Sequence, residues 1–412
     1  MSRSATPDAS VSRDEAWRAL RTKLRAEVGA QAGTQAAAQA QVPGAPPSSS
    51  LAPWMAGADE RVAWFDYAKG ICIILVVMMH STLGVGDAMG AEGFMHWIVA
   101  FAQPFRMPDF FLLSGLFLFR VIDRDWRTYL DRKVVHFAYF YVLWLVILMT
   151  AKQAGLLASD PQAWLTEFAH AFVAPNPNLW FIYVLPLFFV ATKFAHAVGV
   201  PNWALWLGAA VIQTVSLHTG WEAIDDYGAH YFVFFLTGYM LAPRVFKVAA
   251  WAAENVGLAL ACLAGWFVFN ATVAFEPSNL DGIETMAQVP VLRIVLGLIG
   301  AVAVVAIASL LSRFEVARFI RYAGRNSIVL YVSFVLPMAA TRIALIKSGL
   351  VEDVGVVSLI VTAVAVAVPL ILHTLVRNTW ARFLFERPER FKIERRRGDG
   401  RAPTTAAAAQ TA

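Results

Sequence analysis

Apolar residues run in blocks of roughly 18 or more along most of the chain, a length that crosses a bilayer as a helix. Short polar segments separate the blocks. Strands of a transmembrane barrel would be shorter and would alternate in polarity, and that pattern is absent. The blocks predict ten spans, at about residues 69–88, 98–120, 134–151, 179–197, 203–218, 229–245, 256–275, 290–311, 326–345 and 354–376. No fixed-period repeat stands out. The expected fold is all-α: a polytopic membrane domain over 61–380, between tails at 1–60 and 381–412.

Composition agrees with the pattern. Only 15% of residues are charged and 58% are hydrophobic, whereas soluble domains carry about 25% charged residues. The net charge of +5 raises the question of nucleic acid, but topology accounts for it. With both termini on the cytoplasmic side, 29 of the 34 lysines and arginines fall on that side. Three (Lys152, Arg342, Lys347) fall outside, and Arg106 and Arg293 lie within apolar blocks. This is the distribution that the positive-inside rule produces. It fixes an even number of spans, a bacterial-type inner membrane as the location, and no nucleic-acid partner. The outer loops are acidic, with Glu222, Asp225, Asp226, Asp281 and Glu284.

The first sixty residues lack the apolar core of a secretory signal, so the first span is expected to lead insertion. Ala30 to Ser50 is rich in Ala, Gln, Pro and Ser and reads as disordered. Asp14 to Val28 reads as a basic amphipathic helix with Trp17, Leu20 and Leu24 on one side, suited to an anionic lipid surface or to a solvated tail. The C-terminal tail is basic, then Ala/Thr-rich, and is expected to be disordered. Cys72 and Cys262 lie far apart in apolar blocks and predict packing, not a disulfide or a metal site.

Ionisable side chains at membrane depth are costly and mark function. His80 closes the run DYAKGICIILVVMMH, about 16 Å of helix beyond Lys69. Eleven residues at about 100° each return Lys69 and His80 to nearly one face, with Asp66 close to it. In QPFRMPDFFLLSG, Arg106 and Asp109 flank Pro108, and the expectation is a broken helix beside a polar pocket opening outward. Ser114-Gly115 suits either close helix contact or a site. The loop after the second span carries Arg120, Arg124, Arg127, Arg132, Lys133 and His136, a set able to hold phosphates. Trp180 and Tyr183 fit an aromatic belt, Arg293 lies near the outer end of the eighth span, and Asn326 is placed to cap the ninth. The remaining histidines read as interfacial. No zinc, nucleotide-loop or Ser-His-Asp signature is present, so the expected site has no metal and its chemistry rests on a general base in a buried polar pocket.

These motifs carry a resemblance. DYAKGICIILVVMMH resembles the first-helix signature of the acyltransferase-3 family of integral-membrane O-acyltransferases, in the branch that resembles fucose and glycan O-acetylases. FRMPDFFLLSG resembles the second-helix motif, LWFIYVL the fourth, and GRNSIVLY a late asparagine-serine motif; the resemblance covers about residues 60–376. It implies ten spans and a basic residue separated by ten residues from an essential histidine, matched by Lys69 and His80. It also implies an acyl-CoA-linked basic motif, matched by Arg132 and Lys133 in DRKVVHF. Two positions depart from the family: His136 stands where an arginine is usual, and Phe334 where related sequences often have histidine.

The resemblance therefore implies an acyltransferase moving an acyl group, acetyl by expectation, from cytosolic acyl-CoA to a hydroxyl of a glycan or lipid-linked acceptor. Acyl-CoA serves as co-substrate, with no resident cofactor. His80 is expected as general base, Arg106 with Lys69 as oxyanion stabilisers, and Asp109 as the group orienting Arg106 or the histidine. Arg132, Lys133 and His136 are expected to hold the donor; Asp66, Ser114, Trp180, Asn326 and Arg293 are expected on the substrate side. Two rival readings use the same residues: a secondary transporter or flippase, and a non-catalytic descendant of the fold.

Overall fold

A computed structural model of the chain describes residues 62–219, 228–279 and 283–393. The expectations for the N-terminal tail and for Glu222, Asp225, Asp226 and Asp281 lie outside the described residues. Those residues form helices: α1 (Ala63–Met89), α2 (Phe94–Gly115), α3 (Trp126–Lys152), α4 (Pro161–His170), α5 (Trp180–Ala197), α6 (Asn202–Thr219) and α7 (Phe232–Met240). Then follow α8 (Ala242–Glu254), α9 (Val256–Phe275), α10 (Pro290–Arg313), α11 (Arg318–Arg325), α12 (Ser327–Ser333), α13 (Val335–Ser348) and α14 (Val354–Val376). Among the described residues no strand forms beyond an isolated bridge between Pro277 and Thr285.

Six of these helices are long and apolar enough to cross a membrane, or eight if each of two bent pairs is one span. The bends have a local cause. The helix predicted over 229–245 turns by 73° after Met240, where Pro243 opens α8 without an amide to continue the ladder. The predicted ninth span bends by 52° between α12 and α13. There Pro337 cannot donate to the Ser333 carbonyl, and the Ser333 hydroxyl bonds back to Val329 at 2.7 Å.

The second helix behaves differently from its expectation. Pro104 and Pro108 both lie inside an uninterrupted α2. The disturbed ladder is tolerated because α2 sits in the middle of the bundle, against α1, α7 and α10. Contact with α7 is backbone to backbone: a Cβ on Gly115 would lie 2.1 Å from the Phe235 carbonyl oxygen, and one on Gly238 2.0 Å from that of Leu112. Gly70 and Gly324 make the same close approach between α1 and α11. Small residues at crossings are how helices pack where lipid supplies no hydrophobic drive. Outward-facing Leu207, Val211, Leu260, Phe267, Val268, Ile371 and Leu375 are exposed in the isolated chain, the surface expected to meet acyl tails.

Residues 380–393, expected in a disordered tail, are folded onto α3. Tyr139 and Trp144 donate to the carbonyls of Phe383 (2.8 Å) and Leu384 (3.0 Å). Arg387 pairs with Asp131 at 3.0 Å, and both side chains are only 6% exposed. A buried aspartate needs that guanidinium, so the basic composition here reflects pairing as well as solvation.

Candidate active site

The polar face predicted on α1 is real, but it serves two places. At the N-terminal end, Asp66 is 1% exposed and takes ion pairs from Lys69 (3.3 Å) and from Arg325 of α11 (3.1 Å). Its carboxylate is thus a clasp between the first helix and the late motif. His80, about 21 Å of helix further on, lies apart from this clasp.

His80 lines a cavity of about 180 Å³ with Arg106, Trp180, Tyr231, Tyr331, Phe110 and Phe181, closed by Val76, Met79 and Met107. A cavity of about 150 Å³ admits a benzene-sized molecule, so the space suits one ring or one acyl group with its acceptor hydroxyl. Among the described residues His80 has no hydrogen-bond partner. Its ring lies 5.3 Å from that of Phe334, at the bend between α12 and α13, so the family departure at 334 falls beside the histidine.

Arg106 is 8% exposed, and its Nε has no hydrogen-bond partner. Its only hydrogen bond among the described residues is a long 3.5 Å contact from Nη1 to the Val99 carbonyl. The expected partnership with Asp109 is not formed. Asp109 does not line the cavity; it is 1% exposed, and neither carboxylate oxygen has a hydrogen-bond partner.

Tyr231 and Tyr331 were not singled out by the sequence, and both are built into the cavity wall. Arg293 Nη2 donates to Tyr231 Oη at 3.3 Å, and the amide of Phe181 donates to Tyr331 Oη at 3.1 Å. Each phenol accepts from the protein, which leaves its own proton for another acceptor. Tyr231 is held flat by Phe111, with ring centres 5.1 Å apart. The loop before it packs on Trp180: Gly228 has φ +54°, and a Cβ there would lie 2.7 Å from the indole. Trp180 is therefore part of the cavity wall. A tyrosine at the mouth of an apolar block looks like any belt residue, so only the packing distinguishes these two.

The other expected residues lie elsewhere. Ser114 bonds back to the Phe110 carbonyl at 2.8 Å, a helix-internal contact. Asn326 does not cap the following helix; its amide donates to the Tyr322 carbonyl at 2.9 Å and closes α11. Arg132, Lys133 and His136 lie at the start of α3. Asp125 opens that helix, accepting from the Thr128 amide at 2.8 Å and hydroxyl at 2.7 Å, bonds that hold its carboxyl below the usual range. Asp131–Val135 then forms a π-turn, a feature frequent at functional sites. Arg132 is exposed, Lys133 lies over the Phe189 ring at 4.4 Å, and His136 sits edge-on to Phe140.

Comparison with known proteins agrees with the motifs. Residues 62–374 match the family model described as an acyltransferase domain. The inner membrane protein YcfT of Escherichia coli (strain K12) is 28% identical over 163 residues, which cover 32% of this chain and 44% of that protein. The chain thus spans under half the length of that curated relative. No solved structure matches. An apolar helical bundle, a histidine and an arginine sharing an internal cavity, and a family match across all fourteen helices but the last few residues lead to one assignment: the chain belongs to the acyltransferase-3 family.

Proposed function

We propose that the protein is a multi-pass inner-membrane O-acyltransferase that moves an acyl group, acetyl by preference, from cytosolic acyl-CoA to a hydroxyl of a glycan or lipid-linked acceptor. The observation that carries this reading is His80 and Arg106 on the wall of one cavity inside an apolar bundle. In this reading α2 and α6 also cross the bilayer, which gives ten spans with both termini in the cytoplasm. The α2 sequence falls short by composition because it holds the site's own Arg106, Asp109 and two prolines.

Acyl-CoA docks at the cytoplasmic start of α3 through the exposed Arg132, with Lys133 and His136 behind it, and its pantetheine arm carries the thioester into the bundle. His80 takes the proton of the acceptor hydroxyl, and the oxygen attacks the thioester carbon. One N–H edge of the Arg106 guanidinium stabilises the developing oxyanion, which leaves its other edge and the Tyr231 hydroxyl away from the reacting atoms. The C–S bond then breaks, and the histidine returns its proton to the departing thiolate. A neutral imidazole with no hydrogen-bonded partner is suited to the first of these steps. Lys69 contributes through the Asp66 clasp and not by touching substrate.

Incubating the purified His80→Ala variant with labelled acetyl-CoA and envelope extract tests the assignment. Label transfer is expected to drop at least a hundredfold; wild-type transfer by that variant would refute it. Absence of transfer by the wild-type chain across glycan and lipid acceptors would favour the transporter or non-catalytic readings.

A further inference from the structure

The cavity is electrostatically one-sided. A guanidinium does not discharge in a protein, and burying it unpaired is costly. Arg106 nevertheless has a free Nε and a single long contact to a carbonyl. Its own helix offers a carboxylate one turn away, Asp109, which makes no hydrogen bond to it and does not line the cavity. Among the described residues no Asp or Glu lines the cavity. Positive charge is added behind the wall: Arg293 stands behind Tyr231, with its guanidinium 5.6 Å from the ring centre. Tyr231 takes a hydrogen bond from Arg293 and shares the cavity wall with Arg106. With its oxygen already accepting, it has an O–H to give.

We infer that Arg106 and Tyr231 form an oxyanion-binding subsite, and that the acceptor carries a permanent carboxylate or phosphate close to the hydroxyl that is acylated. This rests on the acyl-transfer reading for the word acceptor, but the subsite itself does not. A neutral sugar would leave the guanidinium uncompensated in a low-dielectric wall. A uronate or a sugar phosphate brings the missing charge and accepts directional hydrogen bonds from both groups. The same arrangement gives selectivity, because a site built around a charged partner rejects the analogue that lacks it.

The test is binding to the purified full-length chain in nanodiscs without acyl donor, by titration and thermal unfolding at matched ionic strength. The probes are glucuronate, glucose 1-phosphate and glucose. At least one anionic sugar is expected to bind roughly tenfold more tightly than glucose, equivalent to about 1.4 kcal/mol, and to raise the unfolding midpoint. The tighter of the two identifies carboxylate or phosphate as the natural group. Arg106→Gln should erase the preference. Tyr231→Phe, which keeps the ring packing, should reduce it severalfold and serves if the arginine variant does not fold. Equal binding of all three sugars, or a preference that survives both substitutions, would overturn the subsite. Because no acyl donor is present, loss of the preference is separable from failure of acyl transfer: an intact anion preference with no transfer activity would sink the enzyme reading alone.

Discussion

At the N-terminal end of α1 the buried Asp66 is paired twice over, whereas fourteen residues further on, among the described residues, the cavity keeps its charge unpaired. Asp66 is gripped by Lys69 and Arg325, and at the start of α3 Asp131 is gripped by Arg387 and by the Ile393 amide. Arg106 is about as deeply buried as Arg387 and has no carboxylate partner among the described residues. The two regions use the same residue types for opposite ends. Mutual pairing ties helices together and leaves nothing for a ligand; a cation held without a mate stores a binding interaction that only an incoming group completes. Burial alone does not separate a structural ion from a functional one. An unpaired charge on a cavity wall does, since Asp109 is also without a hydrogen-bond partner but lines no cavity.

This contrast is broken most sharply by measuring stability and activity together. Arg106→Gln is expected to lower acyl transfer by about 10²–10³-fold, the usual cost of losing an oxyanion donor. Its unfolding midpoint should hold or rise, because an uncompensated buried charge is removed. A variant that loses activity and stability in parallel would place Arg106 with the structural ions. Asp66→Asn should do the reverse. It leaves the cavity intact and removes the acceptor shared by Lys69 and Arg325, for a loss of about 1–3 kcal/mol read by thermal unfolding in detergent. Residual acyl transfer per folded molecule should stay within a few fold of wild type, and a collapse of turnover in folded protein would make the clasp part of the chemistry.

Arg387→Ala addresses the second paired aspartate and should have a smaller effect. The segment 380–393 keeps its tyrosine and tryptophan contacts to α3, so the bundle should survive. The π-turn should loosen, since Asp131 loses the guanidinium while retaining the Ile393 amide. The expected readouts are faster protease cleavage near residue 387 and a KM for acyl-CoA raised a few fold with kcat unchanged. Unaltered cleavage and kinetics would show that the strap is passive.

Much of this was legible from the sequence, and the misses share a physical origin. The apolar blocks and the lysine-arginine distribution locate the helices, because hydropathy is a property of composition over a window. His80 and Arg106 stood out for the same reason: each is improbable where it lies. Asp109 was equally improbable and was drawn into the wrong group, since the spacing of Arg106 and Asp109 cannot say which neighbouring helix each faces. Tyr231 and Tyr331 escaped because an amphipathic ring at a helix end is ordinary, and only the donors from Arg293 and Phe181 show that the hydroxyls are aimed. The bends after Met240 and at Phe334 depend on Pro243 and Pro337, whereas the prolines of α2 leave it unbroken. A proline's effect is decided by what surrounds the freed carbonyl, and that information is tertiary.

The gentlest probe of the paired side is Asp125, which lies outside the membrane span. The Thr128 hydroxyl and amide both donate to its carboxylate and hold its pKa below the usual carboxylate range. A folded-state value lower than the unfolded one means that the contribution is fully present above the ordinary carboxylate range, near pH 4. It is then lost as pH falls through the lowered value. Asp125→Ala should therefore lower the unfolding midpoint slightly at neutral pH, with the gap to wild type closing under acid. The side chain is open to solvent, so added salt should also narrow the gap. Asp125→Asn, which keeps an acceptor for the amide of Thr128, should restore part of the neutral-pH loss and show little of the acid dependence. A gap that widens on acidification would mean that the neutral carboxyl is the form the folded helix start prefers, and the pairing rule drawn from Asp66 and Asp131 would not extend to the surface.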